Sequence, residues 1–316
     1  MEKSFQNAKT LIEKSAKILL TTHERTDGDD LGSVLALAHH LWSQGKRATV
    51  AVTAGVPPRL NFMPGSDRVF DDISDTNFDL LIVSGCSILN RVNNPKIEGL
   101  KIPKINFDHH PDNKNFGDVN VVEASKSSVA ELMYDFLTWC KWEITSDMAT
   151  NLLTGIVTDT GLLMHSNTQA STLTTASELM KKGALISDVA NHTFTAQSPR
   201  DMNAWGKAIE SAHYNSKTKM IYAVITEEHL KELGNPDLAT FEGVVETLNK
   251  VPEAEYAMFL KEEGGRVKGS LRSEEYKGVD VQKIAQSLGG GGHKLAAGFS
   301  MVGKLSKNAE GRWEIL

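Results

Sequence analysis

Cysteine is scarce in this sequence. Cys86 and Cys140 are the two present, too few for a disulfide framework and without zinc-finger spacing. Long apolar runs are also missing. No stretch approaches the length that spans a bilayer, and Met1 to Lys9 carries no apolar signal core. A reducing cytoplasm without membrane contact is the expectation. Positive charge is in deficit, with a net charge of −6. That balance argues against a broad basic surface for long duplex nucleic acid, whose binding rests on phosphate neutralisation. It leaves room for a local basic pocket that takes a short nucleotide. No internal repeat occurs, and apart from one glycine run there is no low-complexity tract.

What is present reads as a globular protein. The chain has 316 residues, 40% hydrophobic and 23% charged, enough for one large domain or two ordinary ones. Phe5, Ala8, Leu11 and Ile12 recur at helical spacing. Lys17 to Thr22 reads as a buried strand, followed by a helix through Val34, Leu35, Leu37, Ala38 and Leu41. Further strands are expected at 48–53, 78–83 and 104–107, with helices near 127–139 and 146–157. Alternating strands and helices predict an α/β fold with a mostly parallel sheet and helices on both faces. Ligands collect beyond the carboxyl ends of such strands. The rhythm changes after a polar stretch, Thr195-Ala196-Gln197-Ser198-Pro199-Arg200. The expected division is 1–190 as a first domain, 191–215 as a linker or connecting helix, and 216–316 as a smaller α/β domain, with the active site in the cleft between them.

Three stretches of the first domain carry chemistry. Asp108-His109-His110 follows the strand that ends near Phe107. Imidazole beside carboxylate suits Mn²⁺, Zn²⁺ or Fe. The aspartate can instead fix a histidine tautomer, and a plain polar turn is the bland alternative. His23, Asp27 and Asp29 leave a strand and enter a helix through Gly28 and Gly32. They make half of a metal centre, or else Asp29 and Asp30 are helix first-turn acids favoured by the dipole. Asp159 ends a helix in Thr158-Asp159-Thr160-Gly161, where a carboxylate opposes the dipole and a cation would offset the cost. A turn aspartate is the alternative. Ser166-Asn167-Thr168 reads as the cap of the next helix.

The second domain begins with a strand at Met220 to Ile225 and holds a hairpin around Glu263-Gly264-Gly265. Its conspicuous stretch is Gly289-Gly290-Gly291-Gly292-His293-Lys294. Such a run exposes backbone N–H groups to an anion, or is a flexible linker. Arg272, on the strand before it, can grip a phosphate bidentately.

Taken together, these residues resemble the DHH phosphoesterases with a DHH-associated C-terminal domain. That branch includes nano-RNases (oligoribonucleases), pAp phosphatases and cyclic-dinucleotide phosphodiesterases. The resemblance rests on His23-x₃-Asp27-x-Asp29, Asp108-His109-His110, Ser127-Ser128-Val129-Ala130-Glu131, Thr158-Asp159-Thr160-Gly161 and Gly289 to Gly298, in family order over nearly the whole chain. It implies Mn²⁺ as cofactor, two ions in the family pattern and one in a weakened site. His23 and Asp27 would hold one ion; Asp29, His109 and Asp159 would hold the other. Asp108 and His110 would be catalytic, with His110 facing the scissile phosphate. His110, Arg272, Gly291, Gly292 and His293 would bind substrate.

One departure stands out. The family pattern places a metal-bridging aspartate at the end of the third strand, where this chain has Gly85 in Ser84-Gly85-Cys86-Ser87. Three readings follow: impaired catalysis; replacement by Asp30, by Asp112 or by water; or ligation by Cys86, which alternation along the strand disfavours. The leading expectation is a metal-dependent phosphodiesterase or phosphatase. Its substrates would be short RNA or DNA oligonucleotides, pAp or linear or cyclic dinucleotides, cut to nucleoside 5′-monophosphates with turnover weakened at Gly85. The alternative is a catalytically silent nucleotide-binding protein. A homodimer is compatible with either.

Overall fold

The computed structural model describes residues 1–195, 198–236, 238–241, 243–308, 311 and 313–316. The chain forms two compact units, Met1–Ala196 and Gln197–Leu316. Ala196 and Gln197, inside the expected linker, lie outside the described residues.

The first unit is built on six parallel strands: β1 (Lys17–Thr21), β2 (Arg47–Ala51), β3 (Val69–Phe70), β4 (Leu80–Ser84), β5 (Lys104–Asp108) and β6 (Val119–Val122). Their order is β3-β2-β1-β4-β5-β6. The chain winds outward from β1 in one direction and from β4 in the other. The two directions meet between β1 and β4, the switch point at which open α/β sheets bind ligands.

Side-chain alternation gives the sheet two apolar faces. Ile18, Leu20, Leu80 and Ile82 join one core with α1 (Glu2–Lys14) and α2 (Gly28–Ser43). The same core holds α4 (Val129–Trp139) and α5 (Ser146–Asp159), which come after the short α3 (Pro95–Glu98). Leu19, Leu81 and Val83 face a smaller core with Cys86, Val92 and Ile97. Helices therefore lie on both faces, but the second face is closed by the four-residue α3 and its flanking loops.

α6 (Ala170–Lys181) and α7 (Ile186–Ala190) complete the unit. The cap of α6 is Gln169, whose side chain and that of Thr172 close a capping box. The expected cap, Ser166-Asn167-Thr168, lies one residue too early. Asn167 instead donates to Ser127 O at 3.0 Å and Asp159 O at 3.3 Å.

The second unit opens with α8 (Pro199–Glu210), capped by Ser198 and burying Ala204 and Ala208. Its sheet holds β7 (His213–Asn215), β8 (Met220–Ile225), β9 (Tyr256–Glu263), β10 (Arg266–Arg272), β11 (Gly291–Gly292) and β12 (Ala296–Val302). Their order is β11-β12-β10-β9-β8-β7, with β8 and β9 parallel and the other pairs antiparallel. α9 (Glu227–Glu232), α10 (Val244–Leu248) and α11 (Val281–Ser287) accompany it. β13 (Leu305–Lys307) and β14 (Trp313–Ile315) pair separately. No helix among the described residues is long and apolar enough to cross a membrane.

Candidate metal centre

The turn from β1 into α2 is tied down by its own hydroxyls. Thr26 Oγ1 donates to the His23 carbonyl at 2.9 Å and lies 2.6 Å from Thr22 Oγ1. The Arg25 backbone N–H donates to His23 Nδ1 at 3.1 Å, so the ring proton sits on Nε2 in this arrangement, and a cation held at Nε2 requires the other tautomer and the loss of that bond. Nε2 faces Asp30 Oδ2 at 2.7 Å and Asp27 Oδ2 at 3.8 Å. The capping role weighed for this turn falls to Asp27. Its Oδ1 accepts from the backbone N–H groups of Asp29 and Asp30, each at 3.0 Å. Asp27 thus caps α2 with one oxygen and turns the other toward His23.

Asp29 belongs to a second group. Its Oδ2 accepts from the Val129 N–H at 2.7 Å and its Oδ1 from the Ala130 N–H at 2.8 Å, at the start of α4. α4 is fixed there by Glu131, which is fully buried and accepts from Ser127 Oγ at 2.6 Å, Lys126 Nζ at 3.0 Å and Thr172 Oγ1 at 3.0 Å. The Lys126 carbonyl lies 3.2 Å from His109 Nδ1. A carbonyl only accepts, so Nδ1 carries the proton. The His109 Nε2 lone pair is left toward Asp159 Oδ2, 3.9 Å away.

Close helix packing brings this group together. A Cβ on Gly32 would overlap the Asn151 carbonyl of α5, and one on Gly28 would lie 2.5 Å from Thr158 Oγ1. A Cβ on Gly155 would lie 2.5 Å from that of Ala130 and 2.9 Å from Asp29 Oδ1. These glycines let the start of α2 touch the end of α5, placing Asp29 beside Asp159.

Two groups able to hold a cation result: His23, Asp27 and Asp30; and Asp29, His109 and Asp159. Within each, one nitrogen or oxygen per residue lies within 4.8 Å of the others. Asp108, named from sequence among the catalytic residues, is in neither. It is fully buried and accepts from His110 Nδ1 at 2.6 Å, from Asn113 Nδ2 and from the His109 N–H at 2.9 Å. That is an orienting position, not one that meets a substrate.

The electrostatics fit a site for cations. Burial, and then Asp27, push Asp30 well above the usual carboxylate range. Burial raises Asp29 to about 6, with His109 opposing. Burial and then Asp29 raise Asp159 to about 8. Burial lowers the His23 imidazole. Burial would lower His109 too, but Asp29 and Asp159 outweigh it and the net direction is up. Asp108 goes the other way: burial pushes it up, and the hydrogen bond from His110 leads the effects that bring it below the usual range. Several carboxylates crowded around two imidazoles form a donor set suited to divalent cations.

Gly85 stands at the end of β4, with φ +64°. Its space is taken. A Cβ built there would overlap Oδ1, Cγ and Oδ2 of Asp30. The other candidates for that place are elsewhere. Cys86 is fully buried in the smaller apolar core, and burial raises its thiol. Asp112 accepts from Ser87 Oγ at 3.1 Å and is in neither ligand group. Sequence reasoning named Asp30 only as one possible substitute. Its one available signal was an acid directly after Asp29.

In the second unit, Arg272 is not an open fork. Its Nε donates to Glu246 Oε1 of α10 at 2.8 Å and its Nη1 to the Leu271 carbonyl at 2.9 Å. The glycine run is structured. A Cβ on Gly290 would overlap the Gly298 carbonyl, and one on Gly292 would lie 2.6 Å from the Ala296 carbonyl. The linker alternative therefore falls. In register, Arg272 is opposite Ala296 and Gly292 is opposite Ala297, so both mark the same end of the sheet. His293 follows in an exposed turn whose N–H donates to the Ala296 carbonyl at 2.7 Å.

Comparisons with known proteins show the family and the fold. Residues 17–156 match the DHH family, N-terminal domain, and residues 217–310 match the DHHA1 domain. The bifunctional oligoribonuclease and PAP phosphatase NrnA of Thermus thermophilus is 31% identical over 298 residues, covering 94% of this chain and 87% of that one. NrnA of Bacillus subtilis is 27% identical over 291 residues, covering 90% and 89%. An exopolyphosphatase-related protein from Bacteroides fragilis superposes with a TM-score of 0.88 at 24% identity, covering 95% of this chain and 91% of that one. The exonuclease RecJ bound to manganese has the same fold at a TM-score of 0.54 and 15% identity, covering 94% and 90%. The chain belongs to the DHH family, in the branch that carries a DHHA1 domain.

Proposed function

We propose that this protein is a metal-dependent phosphoesterase acting on short oligonucleotides and on pAp, releasing nucleoside 5′-monophosphates in a cytoplasmic setting. The observation that carries the reading is the pair of ligand groups at the β1–β4 switch point. The names of the NrnA relatives support the substrate class. The net charge of −6 favours a short substrate over a long duplex.

Mn²⁺ fits the imidazole and carboxylate donors, with His23 and Asp27 holding one ion and Asp29, His109 and Asp159 the other. Such a pair supplies Lewis acidity toward the attacking water and the leaving oxygen. The protein's own groups do the rest. The Lys126 carbonyl keeps the His109 proton on Nδ1 and its lone pair on Nε2. Asp108 takes the His110 Nδ1–H and fixes that ring for contact with the scissile phosphate. Arg272, Gly291, Gly292 and His293 bind a second phosphate or nucleotide, with Glu246 orienting the guanidinium. The weakened turnover expected from Gly85 is not part of the proposal, because Asp30 fills the space in question.

The test is an assay series with Mn²⁺ on pAp, on oligonucleotides from two to about five nucleotides and on cyclic dinucleotides. Release of 5′-monophosphate, fastest on the shortest substrates, is the expected result. Tight binding of the same compounds without turnover would overturn the proposal in favour of a nucleotide-binding role.

A further inference from the structure

Within the metal-dependent reading above, on which this inference rests, we propose that Asp30 is a metal ligand shared by the two cation sites, and that Gly85 is glycine so that Asp30 can reach there. The pattern expected from the resemblance has a carboxylate rising from residue 85. Here the carboxylate comes from the first turn of α2 instead.

Three observations converge. First, Asp30 is 2% exposed, and its Oδ2 lies 2.7 Å from His23 Nε2, within the first ligand group. The imidazole N–H meets one oxygen of this carboxylate, and a cation would meet the charge left on a group taken out of water. Second, topology sets its place. Gly85 directly follows β4, and β4 lies between β1, which leads to His23, and β5, which leads to His109. The end of β4 is thus flanked by one ligand group on each side. Third, the two positions exclude each other. A Cβ at residue 85 would overlap three atoms of the Asp30 carboxylate. The φ of +64° at Gly85 adds a backbone reason for glycine. One carboxylate fits in this space, and residue 30 supplies it.

The swap makes a direct test. Mn²⁺ binding is measured by calorimetry, and coupling between neighbouring Mn²⁺ ions by electron paramagnetic resonance, with circular dichroism to check folding. The proteins are the wild type, Asp30→Asn, Gly85→Asp and the double variant Asp30→Ala/Gly85→Asp. Wild type is expected to bind two spin-coupled Mn²⁺ ions per chain. Asp30→Asn keeps the shape and loses the charge. It should lose the coupled signal and bind the weaker ion at least about tenfold less tightly, since even an outer partner of a ligand is worth that much. Gly85→Asp alone should gain no metal and melt lower. The double variant removes the overlapping carboxylate and should regain the coupled pair, aspartate being among the residues that tolerate a left-handed backbone. A folded Asp30→Asn protein that binds and couples Mn²⁺ like wild type would overturn the inference. So would a Gly85→Asp protein that takes up more Mn²⁺ than wild type, because the place would then be vacant. A wild type that binds no Mn²⁺ would instead overturn the metal-dependent reading itself.

Discussion

Asp29 Oδ1 accepts a hydrogen bond from the backbone N–H of Ala130 at 2.8 Å, across a separation of 101 residues. The bond joins the start of α2 to the start of α4 inside the candidate metal centre. Asp29 therefore has two duties, and two substitutions separate them. Asp29→Asn and Asp29→Ala should both weaken Mn²⁺ binding. Asp29→Ala leaves both the Val129 and Ala130 N–H groups buried without an acceptor, whereas Asp29→Asn keeps one amide oxygen for one of them. Asp29→Ala should unfold more easily than Asp29→Asn by about 1–3 kcal/mol. Urea denaturation of the two metal-free proteins checks this; equal midpoints would mean that the bonds to α4 contribute nothing.

The crowded carboxylates make the metal-free protein sensitive to pH. Asp29 titrates at about 6 and Asp159 at about 8 in the fold, above the ordinary 3.8. The folded chain thus holds protons that the unfolded chain has released. The stability from these groups is fully present below the ordinary carboxylate value and is lost as pH rises through about 6 and then about 8. Mn²⁺ needs the ionised forms, so its affinity should rise over the same window, with proton release. Calorimetry in buffers of different ionisation enthalpy reads the protons directly. Asp159→Asn should flatten the fall in metal-free stability; an unchanged slope would contradict the assignment.

Much of this centre was legible in the sequence because its parts are local. His23, Asp27 and Asp29 lie on one turn, and His109 directly follows a strand end. The alternating faces of β1 and β4 were equally plain, as runs of apolar residues bounded by turns. What was not legible depends on contacts between distant segments. The overlap of position 85 with Asp30 appears only when β4 lies beside β1. Gly32 and Gly155 carry no local signal of their job, which is to let α2 and α5 approach. β3 and β6, strands of two and four residues, leave no periodic signal in the sequence. The cap of α6 falls later than the sequence suggests because asparagine and serine are stronger cap signals than the glutamine that caps it.

Tight packing at Gly85 predicts a large response to a small change. Gly85→Ala adds one methyl where the Asp30 carboxylate already lies, at a backbone φ of +64°. Overpacking of this kind costs about 1–3 kcal/mol. The melting temperature should fall, and Asp30→Ala in the same chain should recover part of the loss. Additive effects of the two substitutions would show that the positions do not share space.

In the second unit, Arg272→Ala should weaken binding of a short oligonucleotide by about 1.5–3 kcal/mol, the range for charge-assisted hydrogen bonds. Mn²⁺ binding should be unchanged. Glu246→Gln should have a smaller effect in the same direction, because Glu246 holds the guanidinium at Nε. Fluorescence titration with a labelled dinucleotide reads both. Loss of Mn²⁺ together with nucleotide in Arg272→Ala would place Arg272 in a different role.

Metal-dependent hydrolysis of a short substrate is tested most directly by one measurement. Purified protein is stripped of metal with chelator, mixed with the dinucleotide pApA, and followed for release of 5′-AMP before and after Mn²⁺ is added. No product before Mn²⁺ and steady release of 5′-AMP after it is the predicted result. Bound but uncleaved pApA in the presence of Mn²⁺ would contradict the account.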